Sequence, residues 1–254
     1  GTAETSTDDS TAITIDNTHP TLNTISIANG GTGDASDGEV VSLTFKSDSD
    51  VTSASSPYCY IRDSGGESIA LSAVTASGSA TLWTCAVTMT NGADDGVMTF
   101  AIHYSDSNGN AGTTETSTDD STSVTIDNTH PTLNTISIAN GGTGDGSDGE
   151  TLSLTFKSVS DVTTAPTCTF TDSASEAMAN SASTASGSAT LWTCTLLVDN
   201  SDASGAMTFS IAYSDSNGNA GTAETSTDDS TAITIDNTHP TLNTISIANG
   251  GTGD

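Results

Sequence analysis

The side chains best suited by type to do chemistry are oxygen donors. Asp106-Ser-Asn108-Gly-Asn110 sets a carboxylate and two amides at alternate positions, and Asp215-Ser-Asn217-Gly-Asn219 repeats the pattern 109 residues later. Alternating hard oxygens are raw material for a calcium site, in which ligands close on the ion at about 2.3–2.6 Å. The same string is also ordinary turn chemistry, because Asn and Gly supply left-handed backbone and Asp caps its own turn. No glutamate stands at a twelfth position, so the string is not an EF-hand, and calcium and a bare turn both remain open.

Sulfur offers the second chemistry. The four cysteines are Cys59, Cys85, Cys168 and Cys194. Zinc is the competitor to disulfides, but the CxxC spacing of structural zinc is missing and the four histidines are poorly placed to complete a site. Ser, His and Asp are all present, yet there is no nucleophile elbow, phosphate loop or HExxH helix, so the chain reads as a non-enzyme with no catalytic residues. His103 is replaced by Ala212 and Arg62 by Thr171 in the other repeat, so neither belongs to a site carried by every repeat.

Charge narrows the partners. Thirty-two acidic residues face three basic ones, Lys46, Arg62 and Lys157, for a net charge of −29. So few cations cannot neutralise a phosphate backbone, which excludes nucleic acid as a partner. Such a surface suits salty or calcium-containing surroundings, and it is equally a plain solvated surface. No apolar run is long enough to span a bilayer, no signal-peptide pattern opens the chain, and no asparagine begins an N-x-Ser/Thr acceptor.

The elements that must position these groups repeat. Ile13–Pro20 returns at Val124–Pro131 and Ile233–Pro240, in steps of 111 and 109 residues. Residues 1–34 are identical to 221–254, whereas 112–145 differ at three positions, so two slightly different units alternate with a true period of 220. A unit of about 110 residues has the size of one immunoglobulin-type sandwich and is too long for a solenoid or propeller repeat.

Short alternating stretches predict seven strands in the first unit: 22–27, 40–45, 58–61, a weak one at 69–74, 80–87, 97–104 and 121–126. Val41, Leu43, Phe45, Cys59, Ile61, Trp83, Cys85, Val87, Met98, Phe100, Ile102 and Tyr104 then face one core. With both cysteines pointing inward, one disulfide per unit is the economical pairing, Cys59–Cys85 and Cys168–Cys194, and it implies an oxidising compartment. The expected fold is all-β, with tandem immunoglobulin-like seven-stranded sandwiches arranged as a rod. Residues 1–15 would end a preceding domain, 16–126 and 127–235 form two domains, and 236–254 begin another.

In such a sandwich the loops after the second and sixth strands lie where the domain begins. Asp48, Asp50, Asp106, Asn108 and Asn110 would then surround linker Asp16. At the next junction Asp127 would meet Asp161, Asp215, Asn217 and Asn219, with Asp34, Asp37, Asp94 and Asp95 approaching from the preceding domain. These are the candidate calcium ligands. The linker Asp16-Asn-Thr-His-Pro20 is short, and its proline restricts both itself and His19, so a stiff joint is expected.

The strings Phe100-x-Ile-x-Tyr-Ser-Asp-x-x-Gly-Asn-Ala-Gly112 and Val124-Thr-Ile-Asp-x-Thr-x-Pro-Thr132 resemble bacterial immunoglobulin-like repeats of very large surface adhesins. Similar repeats occur in secreted or surface proteins of marine microbes and microalgae, and the likeness covers essentially the whole chain. The disulfides are a departure, since many such repeats lack them. The resemblance implies a rod of sandwiches at the cell surface, often with calcium at the junctions, and no chemistry. The expectation is thus a structural segment of an extracellular filament, appendage or stalk, whose partners are adjacent repeats or copies of itself end to end. The alternatives are a ligand-binding adhesin region, which would show an exposed aromatic cluster, and a spacer in a secreted enzyme.

Overall fold

Alternation of apolar and polar residues sets the strands, because successive side chains of an extended chain point to opposite faces. In Val40–Ser47 (β2), Val41, Leu43 and Phe45 are fully buried, while Ser42, Thr44 and Lys46 point the other way. The computed structural model describes residues 14–47, 51, 57–69, 74–79, 82–159, 162–178, 183–188, 191–248 and 250. Asp48, Asp50 and Asp161, residues 70–73 of the weak fourth strand, and most of 1–15 lie outside the described residues. Among the described residues there is no helix.

The chain divides into two units inside the linker, Gly1–Thr129 and His130–Asp254. In the first, β1 (Leu22–Asn29), β2, β3 (Tyr58–Arg62), β4 (Val74–Thr75), β5 (Ser77–Ser79), β6 (Leu82–Thr88), β7 (Gly96–Val97), β8 (Thr99–His103) and β9 (Thr125–Ile126) form three antiparallel sheets. Their orders are β1-β2-β6-β5, β4-β3-β8 and β7-β9. The first is the A-B-E-D order of an immunoglobulin sandwich, and the second carries its C and F strands.

Among the described residues of the first unit there are seven strand regions, two of them divided where they change sheets. The fourth breaks at Ala76, so β4 pairs with β3 and β5 with β6. The sixth breaks at Met98, whose N–H turns to the Val124 carbonyl at 2.9 Å. Two expected spans therefore need correction. The fourth region is Val74–Ser79 among the described residues, and only Thr125–Ile126 of the last region is regular strand, because the chain before it leaves β8 to bond with β1.

That departure is built around a bulge. Thr24 has φ of +56°, and the β1–β2 register shifts between Asn23 and Ser26. Ile25 N–H, freed from the ladder, donates to Asp119 Oδ2 at 2.9 Å, and Asp119 N–H donates to the Ile25 carbonyl at 2.8 Å. Bulges of this kind bend an edge strand and end its pairing.

The second unit repeats the design with β10 (Leu133–Asn140), β11 (Thr151–Ser158), β12 (Thr167–Thr171), β13 (Ser183–Thr184), β14 (Ser186–Ser188), β15 (Leu191–Leu197), β16 (Gly205–Ala206), β17 (Thr208–Ala212) and β18 (Thr234–Ile235). Its sheet orders are β10-β11-β15-β14, β13-β12-β17 and β16-β18. Each unit closes its own core. Trp83 lies opposite Phe45 across β2 and β6, and Trp192 opposite Phe156 across β11 and β15. The chain is a tandem of immunoglobulin-like β-sandwiches with one disulfide in each. Cys59–Cys85 joins β3 to β6 and Cys168–Cys194 joins β12 to β15, so each cystine ties one sheet to the other inside the core.

Candidate functional site

The loop after β8 is organised by its own aspartate. Asp106 is buried; its Oδ1 accepts the N–H groups of Asn108 at 2.9 Å and Asn110 at 2.8 Å, and its Oδ2 accepts Asn110 Nδ2 at 2.8 Å. Gly109, with φ of +90°, makes the left-handed turn that brings these donors round. Burial pushes the Asp106 carboxyl up and the Asp16 charge adds to this, but the three hydrogen bonds outweigh both and hold it below the usual range. Asp215 is held in the same way by Asn217 and Asn219, at 2.9 Å in each case.

This loop grips the linker entering its domain. Asn108 Nδ2 donates to Asp16 Oδ2 at 2.7 Å and Asn110 Nδ2 to the Asp16 carbonyl at 3.2 Å. Asp16 also caps its own turn by accepting Thr18 N–H at 2.9 Å; that bond first, and Asn108 second, hold its carboxyl below the usual range. His19 Nδ1 lies 2.8 Å from the Ala111 carbonyl, and since a carbonyl only accepts, the proton sits on Nδ1. His130 makes the equivalent bond to Ala220 at 2.8 Å. The structure thus brings Asp16, Asp106, Asn108 and Asn110 together in the first unit, and Asp215, Asn217 and Asn219 in the second.

A second grip, on the departing linker, uses Asp95, which the sequence placed at this junction as a candidate calcium ligand; its bonds to Asn128 and Thr129 went unread. Asn128 N–H donates to Asp95 Oδ1 at 2.6 Å, and its Nδ2 donates to the carbonyls of Thr90 at 3.3 Å and Ala93 at 3.0 Å. Thr129 Oγ1 donates to Asp95 Oδ2. In the second unit Asn237 N–H meets Ser204 Oγ at 2.9 Å, and its Nδ2 meets the carbonyls of Asp199 and Asp202, both at 2.9 Å. The available signal was an asparagine at the same linker position in every copy. The gripping loop is itself pinned by a buried carboxylate. Asp63 accepts Glu67 N–H at 2.8 Å and Asp94 N–H at 3.1 Å, and Asp172 accepts Ala203, Ala174 and Glu176 N–H groups at 2.9, 2.9 and 3.0 Å.

Calcium needs oxygen facing inward. At Asp16 and Asp106 the groups aimed at the carboxylates are N–H donors, and among the described residues no three acidic, histidine or cysteine side chains gather into a metal-holding group. A cation here would require Asn108 and Asn110 to turn their amide oxygens inward.

The first unit also exposes an aromatic face that sequence reasoning passed over. Tyr58 and Tyr60 on β3 alternate with buried Cys59 and Ile61, and His103 on β8 stands opposite Tyr58. The alternation within β3 was a usable signal; the partnership with His103 depends on cross-strand register.

No family model matches the chain, and no curated protein does. Among solved structures it is similar to an immunoglobulin tandem pair of titin, at 14% identity over 85% of this chain and 95% of that one, with a TM-score of 0.26. It is also similar to the titin z1z2 domains solved in complex with telethonin, at 12% identity over 87% and 97%, with a TM-score of 0.27. A Salmonella alpha-2-macroglobulin variant is similar at 9% identity over 84% of this chain and 15% of that one, with a TM-score of 0.28. The sheet orders within each unit, not these likenesses, identify the fold.

Proposed function

We propose that the chain is a structural repeat segment of an extracellular filament, appendage or stalk in which sandwiches follow one another end to end. The observation that carries this reading is the linker. In linker 127–131, Asn128 and Thr129 are bonded to the domain it leaves and His130 to the domain it enters, and in linker 16–20 Asp16 and His19 make the entering contacts. A five-residue connection held at three of its residues and closed by proline keeps little torsional freedom, which favours a semi-rigid rod over a loose tether. Near-identical repetition supports the same reading, since equivalent joints make a regular rod. The buried cystines favour an oxidising, extracellular setting.

Electron microscopy of the native assembled material tests this. The expected result is regular filaments with an axial repeat spanning two domains. Isolated short particles without such a repeat would overturn it. The ligand-binding alternative keeps one observation in its favour, the outward aromatic face of the first unit.

A further inference from the structure

We propose that this face, on β3 and β8 of the first sandwich, is a binding site for an acidic saccharide. The inference is independent of the filament reading, because a rod with smooth sides and a rod that binds sugar have the same axial repeat.

The face is assembled before any ligand arrives. Tyr58 and His103 stack at 5.1 Å between ring centres with planes 15° apart, and Tyr60 stands edge-on to them at 5.9 and 5.6 Å. Arg62 places its guanidinium 5.7 Å over the Tyr60 ring and donates to the Gly66 carbonyl at 2.8 Å, which braces it while leaving further N–H donors on its fork. Tyr58 is 39% exposed. Beside the stacked pair is a cavity of about 290 Å³ whose lining includes Tyr58, His103, Tyr104, Ser105 and Thr114.

The sandwich does not need these residues. At the matching positions the second unit has Thr167, Thr169, Thr171 and Ala212, yet it keeps the same sheet order and the same cystine. Aromatic bulk, histidine and the chain's sole arginine therefore mark the first domain for something other than folding. Large amphipathic rings held in place lose little freedom on binding and anchor contacts well.

Charge selects the ligand. The outward residues of these two strands, Tyr58, Tyr60, Arg62, Thr99, Ala101 and His103, include no carboxylate, although the chain carries 32 acidic residues. Glu67 and Glu115 stand in the segments bridged to β3 and β8, so it is the Arg62 guanidinium that gives this face its place for an anion, and carboxylates more than about 8 Å away are screened at physiological ionic strength. Guanidinium is the side chain suited to bidentate capture of carboxylate or sulfate. The Arg62 guanidinium lies over Tyr60, and the Tyr58–His103 stack lies on the far side of that ring, so charge and rings are strung along the strand as an oligosaccharide, not a lone anion, would use them. The ring stack and the hydroxyl-lined cavity suit a pyranose better than the acidic loop of another copy.

Calorimetric titration of the whole 254-residue chain with tetragalacturonate is the test. One saturable site per chain is expected. The variant Y58T/Y60T/H103A, which installs the second unit's residues, should weaken binding at least about tenfold, and R62T roughly fivefold, each with an unchanged melting temperature. Neutral cellotetraose should bind at least about fivefold more weakly. Absence of saturable binding, undiminished binding by the triple variant, or equal affinity for the neutral sugar would overturn the proposal. So would concentration-dependent self-association in sedimentation that the triple variant abolishes, which would make a second copy the occupant.

Discussion

The N–H of Asn128 is bonded to Asp95 Oδ1 at 2.6 Å, so the linker stays attached to the domain it has just left. Asp95 also accepts the Thr129 hydroxyl, whereas Ser204, its counterpart, meets only the N–H of Asn237 among these linker donors. Asp95→Ala should therefore speed exchange of the Asn128 amide by about fivefold, the equivalent of a hydrogen bond worth roughly 1 kcal/mol. Ser204→Ala should have a smaller effect, read at Asn237. Equal protection of Asn128 in wild type and Asp95→Ala, by exchange NMR, would show that the bond does not restrain the linker.

Each cystine closes a loop between residues 26 apart and lies within one core. Chain-entropy arithmetic gives about 3.5 kcal/mol for a loop of that length. The double substitution Cys59→Ala/Cys85→Ala should lower melting of the first sandwich by roughly 15 °C and leave the second transition in place. Calorimetry reads the two transitions directly. A single transition that moves as a whole would mean the two cores do not unfold separately.

The inward residues were legible because period-two alternation is local: Val41, Leu43, Phe45, Trp83 and Cys85 are each fixed by their immediate neighbours. The breaks at Ala76 and Met98 were not legible, since they depend on which distant strand accepts a backbone bond, as Val124 does for Met98. Convergence of Asp16 with Asn108 and Asn110 followed from sandwich topology. The direction of the amides did not, because donor and acceptor ends of Asn look alike in sequence. Nothing in the sequence marks out Asp63 and Asp172, because the loop whose N–H groups they accept is 31 residues away.

The motif Tyr-Ser-Asp-x-Asn-Gly-Asn-Ala-Gly has a packing rationale at its last residue. Gly112 donates to the Tyr104 carbonyl at 3.0 Å, and a Cβ at Gly112 would run into the Tyr104 ring; Gly221 and Tyr213 repeat the contact. Tyr104 is buried and has little room to yield. Gly112→Ala should destabilise the first sandwich by about 2 kcal/mol, measured by urea unfolding. The double variant Gly112→Ala/Tyr104→Leu should show a clearly non-additive loss, since the second change removes the ring that clashes.

Because N–H donors already occupy Asp16 and Asp106, removing divalent cations should leave the fold untouched. Melting temperatures in EDTA and in millimolar calcium should agree within about 1 °C, below the shift expected for a ligand in hundredfold excess over its dissociation constant. A calcium-dependent rise lost in Asp106→Ala would instead assign calcium to the junction, with Asp50 as a further ligand to test.

The acid limb of stability should depend on Asp172. Hydrogen bonds from Ala203 first and then Glu176 hold its carboxyl below the usual range, against the upward push of burial, with Ala174 adding to the lowering. A folded-state value below the unfolded one means that the unfolded chain binds the proton more readily. The stabilisation is therefore complete above the unfolded value, near 3.9, and is lost as pH falls through the lower folded value. Stability should be level from neutrality to about pH 5 as far as this group is concerned, then decline. In Asp172→Asn an amide replaces one of two accepting oxygens facing backbone N–H groups, so the second sandwich should be weaker at pH 7 and lose less on acidification. Urea unfolding of both proteins between pH 2 and pH 7 decides the matter: parallel pH profiles would mean that this carboxylate does not couple protonation to the loop that grips Asn237.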